Sequence, residues 1–148
     1  MYVEVIKTVD APLDELWKLL GDFANEGAAT GLVETTGEGF GLGATCTSNV
    51  EGRSIRELCV NYDPEKFIVG YTVQTEENTT VYDYIGTARL YYVSLNQTRI
   101  HWFSHWRWRE LPGNEMTAED YEKHMKKTYL TVIDNMERQA QANMSSPR

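Results

Sequence analysis

Two periods of hydrophobic positions alternate along the chain, and the points where one gives way to the other mark the elements. Over residues 2 to 9, Val3, Val5 and Lys7 alternate with Glu4, Ile6 and Thr8 in a β-branched segment, which predicts a first strand. Asp10-Ala11-Pro12 interrupts it. Pro12 suits the first helical position, acidic Asp14 and Glu15 suit the first turn, and Leu13, Leu16, Trp17 and Leu20 share one face, which predicts a short amphipathic helix. The small, Gly/Ala-rich stretch from Asp22 to Gly31 reads as a second weak helix or a turn.

Strand periodicity then takes over, with glycine and polar punctuation between the runs. The runs are Leu32 to Thr36, Ala44 to Val50, Arg53 to Tyr62, Lys66 to Gln74, Val81 to Ser94 and Thr98 to Arg109. Turns fall at Gly37 to Gly43, Glu51-Gly52, Asp63-Pro64-Glu65, Glu76 to Thr80 and Leu95 to Gln97. Because a strand follows the repeated glycines, they are not a dinucleotide fingerprint. After Leu111 to Asn114 the period returns to that of a helix. Thr117-Ala-Glu-Asp120 resembles a capping box with Asp in place of Glu, and Tyr121, Met125, Thr128 or Tyr129, Val132, Met136 and Ala140 recur at helical spacing. A helix reaching about Ala140 would be about 35 Å long at 1.5 Å per residue, enough to cross a sheet. The fold class is therefore α+β: a curved antiparallel sheet of six to seven strands, two short helices after the first strand, and a long C-terminal helix.

Alternation assigns the faces. On the penultimate strand Tyr82, Tyr84, Gly86, Ala88, Leu90 and Tyr92 share the inner face. On the last strand Ile100, Trp102, Ser104, Trp106 and Trp108 do so, opposed by Arg99, His101, Phe103, His105 and Arg107 towards solvent. Phe67, Val69, Tyr71 and Val73 form a third apolar face. Gly86 and Ala88 remove bulk in mid-strand, either to let the helix approach or to leave room for a ligand.

Composition narrows the setting. At 148 residues the chain has the size of one domain, read as residues 1–142 with a polar tail at 143–148. Hydrophobic residues make up 41%, with four Trp and nine Tyr, so a packed core rather than disorder is expected. A net charge of −8, from 22 acidic and 14 basic residues, disfavours nucleic acid and anionic lipid as partners, although Arg99 to Arg109 is locally basic and aromatic. No apolar run is long enough for a membrane helix and no signal segment precedes the first strand, so a cytoplasmic protein without membrane insertion is expected. Cys46 and Cys59 lack metal or redox spacing and read as buried or half-buried thiols, with a disulfide left open. A homodimer is also left open.

Asp10-Ala-Pro-Leu-Asp-Glu-Leu-Trp17 with Asp22-Phe23, Ile55-Arg-Glu-Leu58 with Asp63, and Tyr84-Ile-Gly-Thr-Ala-Arg-Leu90 with Thr98-Arg-Ile-His-Trp102 occur in this order. Together with the element order, they make residues 2 to 140 resemble the SRPBCC or START-like superfamily and, within it, the polyketide cyclase/dehydrase group. The resemblance implies a helix-grip fold with a ligand cavity between sheet and C-terminal helix, and no cofactor. Plant abscisic acid receptors are similar too. In them a Glu and a Tyr at the positions of Glu57 and Tyr84 line the cavity, but the receptors' gate and latch motifs are missing here.

Alternation with Ile55 and Cys59 places Glu57 on the pocket side, where desolvation would raise its pKa and make it a general acid or base. A polar ligand contact, or pairing with Arg53 or a tyrosine, is the alternative. Tyr84 is the second candidate for catalysis, as an oxyanion donor, with Tyr71, Tyr82 and Tyr92 as further hydroxyls. Substrate contacts are expected from Tyr71, Val73, Tyr82, Gly86, Trp102, Ser104, Trp106, Tyr121, Met125, Tyr129 and Val132. No metal site is expected, since His101 and His105 would stand about 13 Å apart on a strand. His124 falls at the pocket mouth or on the surface. These expectations describe a cyclase, dehydratase or related lyase of secondary metabolism acting on a polyketide-like or aromatic molecule, with binding or transport of a hydrophobic molecule or lipid as the alternative.

Overall fold

The computed structural model describes residues 1–25, 35–50, 53–74 and 79–145. Strand β1 (Tyr2–Val9) leads into helix α1 (Leu13–Leu20) and a 3-10 turn (Phe23–Asn25). Strands β2 (Thr35–Glu38), β3 (Thr45–Val50), β4 (Arg53–Asp63), β5 (Ile68–Gln74), β6 (Val81–Ser94) and β7 (Gln97–Trp108) follow, then helix α2 (Ala118–Ser145). The seven strands form one sheet in the order β1-β7-β6-β5-β4-β3-β2, antiparallel throughout. From β2 to β7 the chain is a meander, and β1 is added beside the last strand. The expected β2 start at Leu32, the Glu51-Gly52 turn and most of the Glu76 to Thr80 tip lie outside the described residues.

Both helices pack on the same face of the sheet. Helix α1 buries Leu13, Leu16 and Leu20, as its spacing predicts. Helix α2 buries Tyr129, Ile133, Met136 and Ala140, while Val132 is only half-buried beside them. Ile133 is thus a core position that the sequence reading missed. It was missed because Val132 and Ile133 are both apolar and only the angle of docking separates them. At its start, Thr117 Oγ1 accepts a hydrogen bond from the Asp120 N–H at 3.1 Å, the expected cap. Its end lies further on than expected. No glycine or proline stops it before Pro147, and Gln141 Nε2 donates to the Asp10 carbonyl at 2.8 Å, tying the last turns to the end of β1. Residues 143–145, read from the sequence as tail, are helical.

The register places an inner row across five strands: Val3 beside Ser104, Ser104 beside Gly86, Gly86 beside Tyr71, and Tyr71 beside Cys59. Gly86 leaves a gap in this row, and Tyr71 fills it. A Cβ at Gly86 would lie 2.4 Å from Tyr71 Cζ and 2.6 Å from its hydroxyl oxygen. Neither the helix nor an open space takes the room at Gly86; a phenol ring does.

One irregularity reverses a predicted face. Tyr82 pairs with Arg107 and Ile85 with His105, so β6 holds one more residue than β7 between these pairs, with Asp83 at φ 53°. Cross-strand partners share a face, so Tyr82 lies outside with exposed Arg107, and the Arg109 guanidinium sits 4.0 Å from its ring centroid. Tyr82 therefore does not reach the inner face expected of it. Tyr92 is 65% exposed, beyond the covered part of the sheet.

Filling Gly86 should disturb this row. Gly86→Ala is expected to destabilise the fold by about 1–3 kcal/mol in denaturant unfolding. In a chain already carrying Tyr71→Ala the same change should have little effect, a coupling that a double-mutant cycle measures.

Candidate functional site

Aromatic residues of β5, β6 and β7 line the inner face under α2. Tyr84 stacks with Trp106 at 6.0 Å between ring centroids, Trp102 stacks with Tyr129 at 5.4 Å, and Tyr71 lies edge-on to Trp102 at 6.4 Å. Their polar atoms meet in one network. Tyr129 donates to Ser104 Oγ at 2.7 Å, the Tyr84 and Tyr129 hydroxyls are hydrogen-bonded, and Trp102 Nε1 donates to the Tyr71 hydroxyl at 3.1 Å. Burial raises the Tyr84 phenol well above its ordinary value of 10, and the nearby Ser104 and Tyr71 hydroxyls offset part of that rise.

Glu57 stands on the neighbouring part of the same face. It pairs with Cys46 on one side and Val73 on the other, two strands from Tyr84, roughly 10 Å across the sheet. Its side chain makes no hydrogen bond or ion pair among the described residues. The side chain of Arg53, a partner expected from the sequence, lies outside them. Half-buried in surface terms, Glu57 is nevertheless desolvated enough that burial pushes its pKa from 4.5 to about 7. The charge of Glu57 bears on the Tyr84 hydroxyl, as does that of Tyr121.

Tyr121 opens α2 and completes the aromatic wall. Its ring lies edge-on to Trp106 at 5.1 Å and 5.9 Å from Trp108, and burial pushes its hydroxyl up to about 12. Its hydroxyl has no hydrogen-bond partner among the described residues. Trp106 Nε1 is buried with no acceptor among them either.

The residues expected at the site separate into three groups. Tyr71, Tyr84, Trp102, Ser104, Trp106 and Tyr129 are buried together in the network or its wall. Glu57, Val73, Tyr121, Met125 and Val132 are half-buried on the same side. Gly86 lies beneath the Tyr71 ring, and Tyr82 lies on the outer face. Cys46, expected as a buried or half-buried thiol, and Ser48, which the sequence reading passed over, are buried on β3 opposite Glu57 and Ile55. Their alternation with Thr45, Thr47 and Asn49 was the available signal, but a short strand of small polar residues carries it weakly. Cys46 and Cys59 are both buried and carry thiols rather than a disulfide. His101 lies on the outer side, 2.9 Å from Glu4 Oε2, and His124 is exposed. Among the described residues, no three His, Cys, Asp or Glu side chains converge as a metal site would require.

No curated protein matches the chain in sequence. Solved structures of similar fold include the Zhui aromatase/cyclase from a Streptomyces species, at 18% identity and TM-score 0.73, with 99% of this chain and 96% of that one covered. Norcoclaurine synthase from Thalictrum flavum, in complex with dopamine and hydroxybenzaldehyde, is 11% identical at TM-score 0.71, covering 100% and 89%. A START superfamily protein from Mycobacterium smegmatis is 11% identical at TM-score 0.75, covering 95% and 97%. At these identities the likeness is one of fold. No helix among the described residues is long and apolar enough to cross a membrane. Residues 2–141 match the family model described as polyketide cyclase / dehydrase and lipid transport, and the chain belongs to that family.

Proposed function

We propose that the protein is a cofactor-independent cyclase or dehydratase acting on a hydrophobic, polyketide-like or aromatic small molecule held between the concave sheet face and α2. The observation that carries this reading is Glu57, a desolvated carboxyl without a protein partner among the described residues, facing an aromatic wall. With a pKa of about 7 it is populated in both protonation states near neutral pH, which suits a group that takes a proton and returns it.

In such a reaction the Glu57 carboxylate removes a proton from a carbon next to a carbonyl. The C–H electrons move onto the carbonyl oxygen, and the resulting enolate carbon attacks a second carbonyl of the same molecule. A C–C bond forms, and the new alkoxide takes the proton back from Glu57. Loss of water then gives the dehydrated ring, with no oxidant or reductant consumed. The wall containing Trp102, Trp106 and Tyr84 holds the flexible chain in the folded arrangement that this closure needs. Val73, Met125 and Val132 supply apolar contact.

Structural relatives that are an aromatase/cyclase and a synthase support an enzymatic reading. The family description also names lipid transport, which favours the alternative of binding or carrying a hydrophobic molecule unchanged.

Glu57→Gln should separate these readings. With a panel of aromatic and linear β-polyketones, we expect turnover to fall about 10²–10⁴-fold while the fold is kept. Unchanged turnover would remove Glu57 from the chemistry, and substrates recovered unaltered from the natural protein would select the carrier reading.

Stability should report the same carboxyl. Between pH 4.5 and about 7 the folded chain holds a proton that the unfolded chain releases, so stability falls as pH rises through this window. The penalty is fully present above pH 7 and amounts to roughly 3 kcal/mol for a shift of this size. In urea unfolding across pH 4 to 8, Glu57→Gln should flatten that part of the profile.

A further inference from the structure

Each phenol has one hydroxyl proton, and the hydrogen bonds of the site show where these protons go. Tyr129 donates its proton to Ser104, so the bond between Tyr84 and Tyr129 is donated by Tyr84. Tyr71 accepts from Trp102 Nε1. Tyr84, Tyr129 and Ser104 therefore form a chain of donors and acceptors. Neither Tyr84 nor Tyr129 has a proton to offer a guest without breaking a bond inside the protein.

Tyr121 is different. It lies on the first turn of α2, half-buried, with its ring held against Trp106 and Trp108, and its hydroxyl is unengaged among the described residues. Trp106, in ring contact with both Tyr121 and Tyr84, carries a buried N–H with no acceptor among the described residues. The wall thus contains two donors that lack acceptors, and Glu57 is the acid-base group electrostatically linked to the same Tyr84. An unpaired donor in a desolvated wall is satisfied by an acceptor on the ligand.

We infer that Tyr121 is the oxygen-binding residue of the site, donating its O–H to a carbonyl or enolate oxygen of the ligand, with the Trp106 N–H as the adjoining donor. This rests on the pocket reading given above and narrows the ligand to ketone-bearing aromatic or polyketide-like molecules, as against hydrocarbons or saturated lipid tails. The task of polarising a carbonyl, assigned to Tyr84 from the sequence, passes to Tyr121, and Tyr84 becomes a positioning residue that fixes the wall.

Two probes of nearly equal size test this: 2-acetylnaphthalene, which has a carbonyl, and 2-ethylnaphthalene, which does not. Binding is followed by tryptophan fluorescence, and the carbonyl stretch of the bound ketone by infrared difference spectroscopy. The natural protein should bind the ketone about tenfold more tightly than the ethyl compound, as one added hydrogen bond allows. The bound stretch should lie below its position in hexane. Tyr121→Phe keeps the ring and its packing; in it both differences should vanish while the ethyl compound binds as before. Installing 3,5-difluorotyrosine at position 121 makes a stronger donor and should lower the stretch further, a readout independent of how well the Phe variant folds. Equal affinity for the two probes with an unshifted stretch, or both differences surviving in Tyr121→Phe, overturns the inference and leaves the pocket standing. Failure of both probes to bind the natural protein overturns the pocket reading, and the inference with it.

Discussion

A buried phenol is tolerated only where its hydroxyl finds a partner, and Tyr129 of α2 finds its partners in the sheet, at Tyr84 and Ser104. This contact fixes where the long helix sits. Hydrophobic burial of Ile133, Met136 and Ala140 would hold α2 on the sheet but would permit sliding, because apolar contact has no direction. The bonds of the Tyr129 hydroxyl supply the direction. Breaking them would leave polar oxygens in the core, each an uncompensated desolvation of about 1–3 kcal/mol.

Once that register is set, the rest of the inner face divides naturally. Over β1, β7 and β6 the space is filled with Val3, Val5, Trp102, Ala88 and Leu90, all buried. On β4 and β5 the side chains of Ile55, Glu57 and Val73 keep accessible surface, although they are on the inner side. Glu57 is thus on the incompletely filled part of the face, and its raised pKa follows from poor solvation without a compensating charge. Close packing and a desolvated carboxyl occupy one face of the same sheet.

Much of this was legible in the chain. Strand alternation gave β1, β6 and β7 nearly to the residue, and it placed Ile100, Trp102, Ser104 and Trp106 inside because an uninterrupted strand has a strict period of two. The cap at Thr117, the apolar stripe of α1 and the inward direction of Glu57 were equally local matters. The family, too, was readable from motif order, and its model spans residues 2–141.

Tertiary structure decided what local periods cannot contain. A single extra residue at Asp83 turned Tyr82 outward, because one inserted residue reverses every side chain before it. The space at Gly86 went to Tyr71, fifteen residues away in sequence and adjacent only through the β5–β6 register. Which tyrosine protons are engaged within the protein and which hydroxyl has no partner among the described residues depends on side chains from β5, β6, β7 and α2 meeting at one point. Sequence determined which residues face inward; three-dimensional packing determined which of those are occupied with one another and which remain available to a guest, since hydrogen-bond partners are chosen by distance in space.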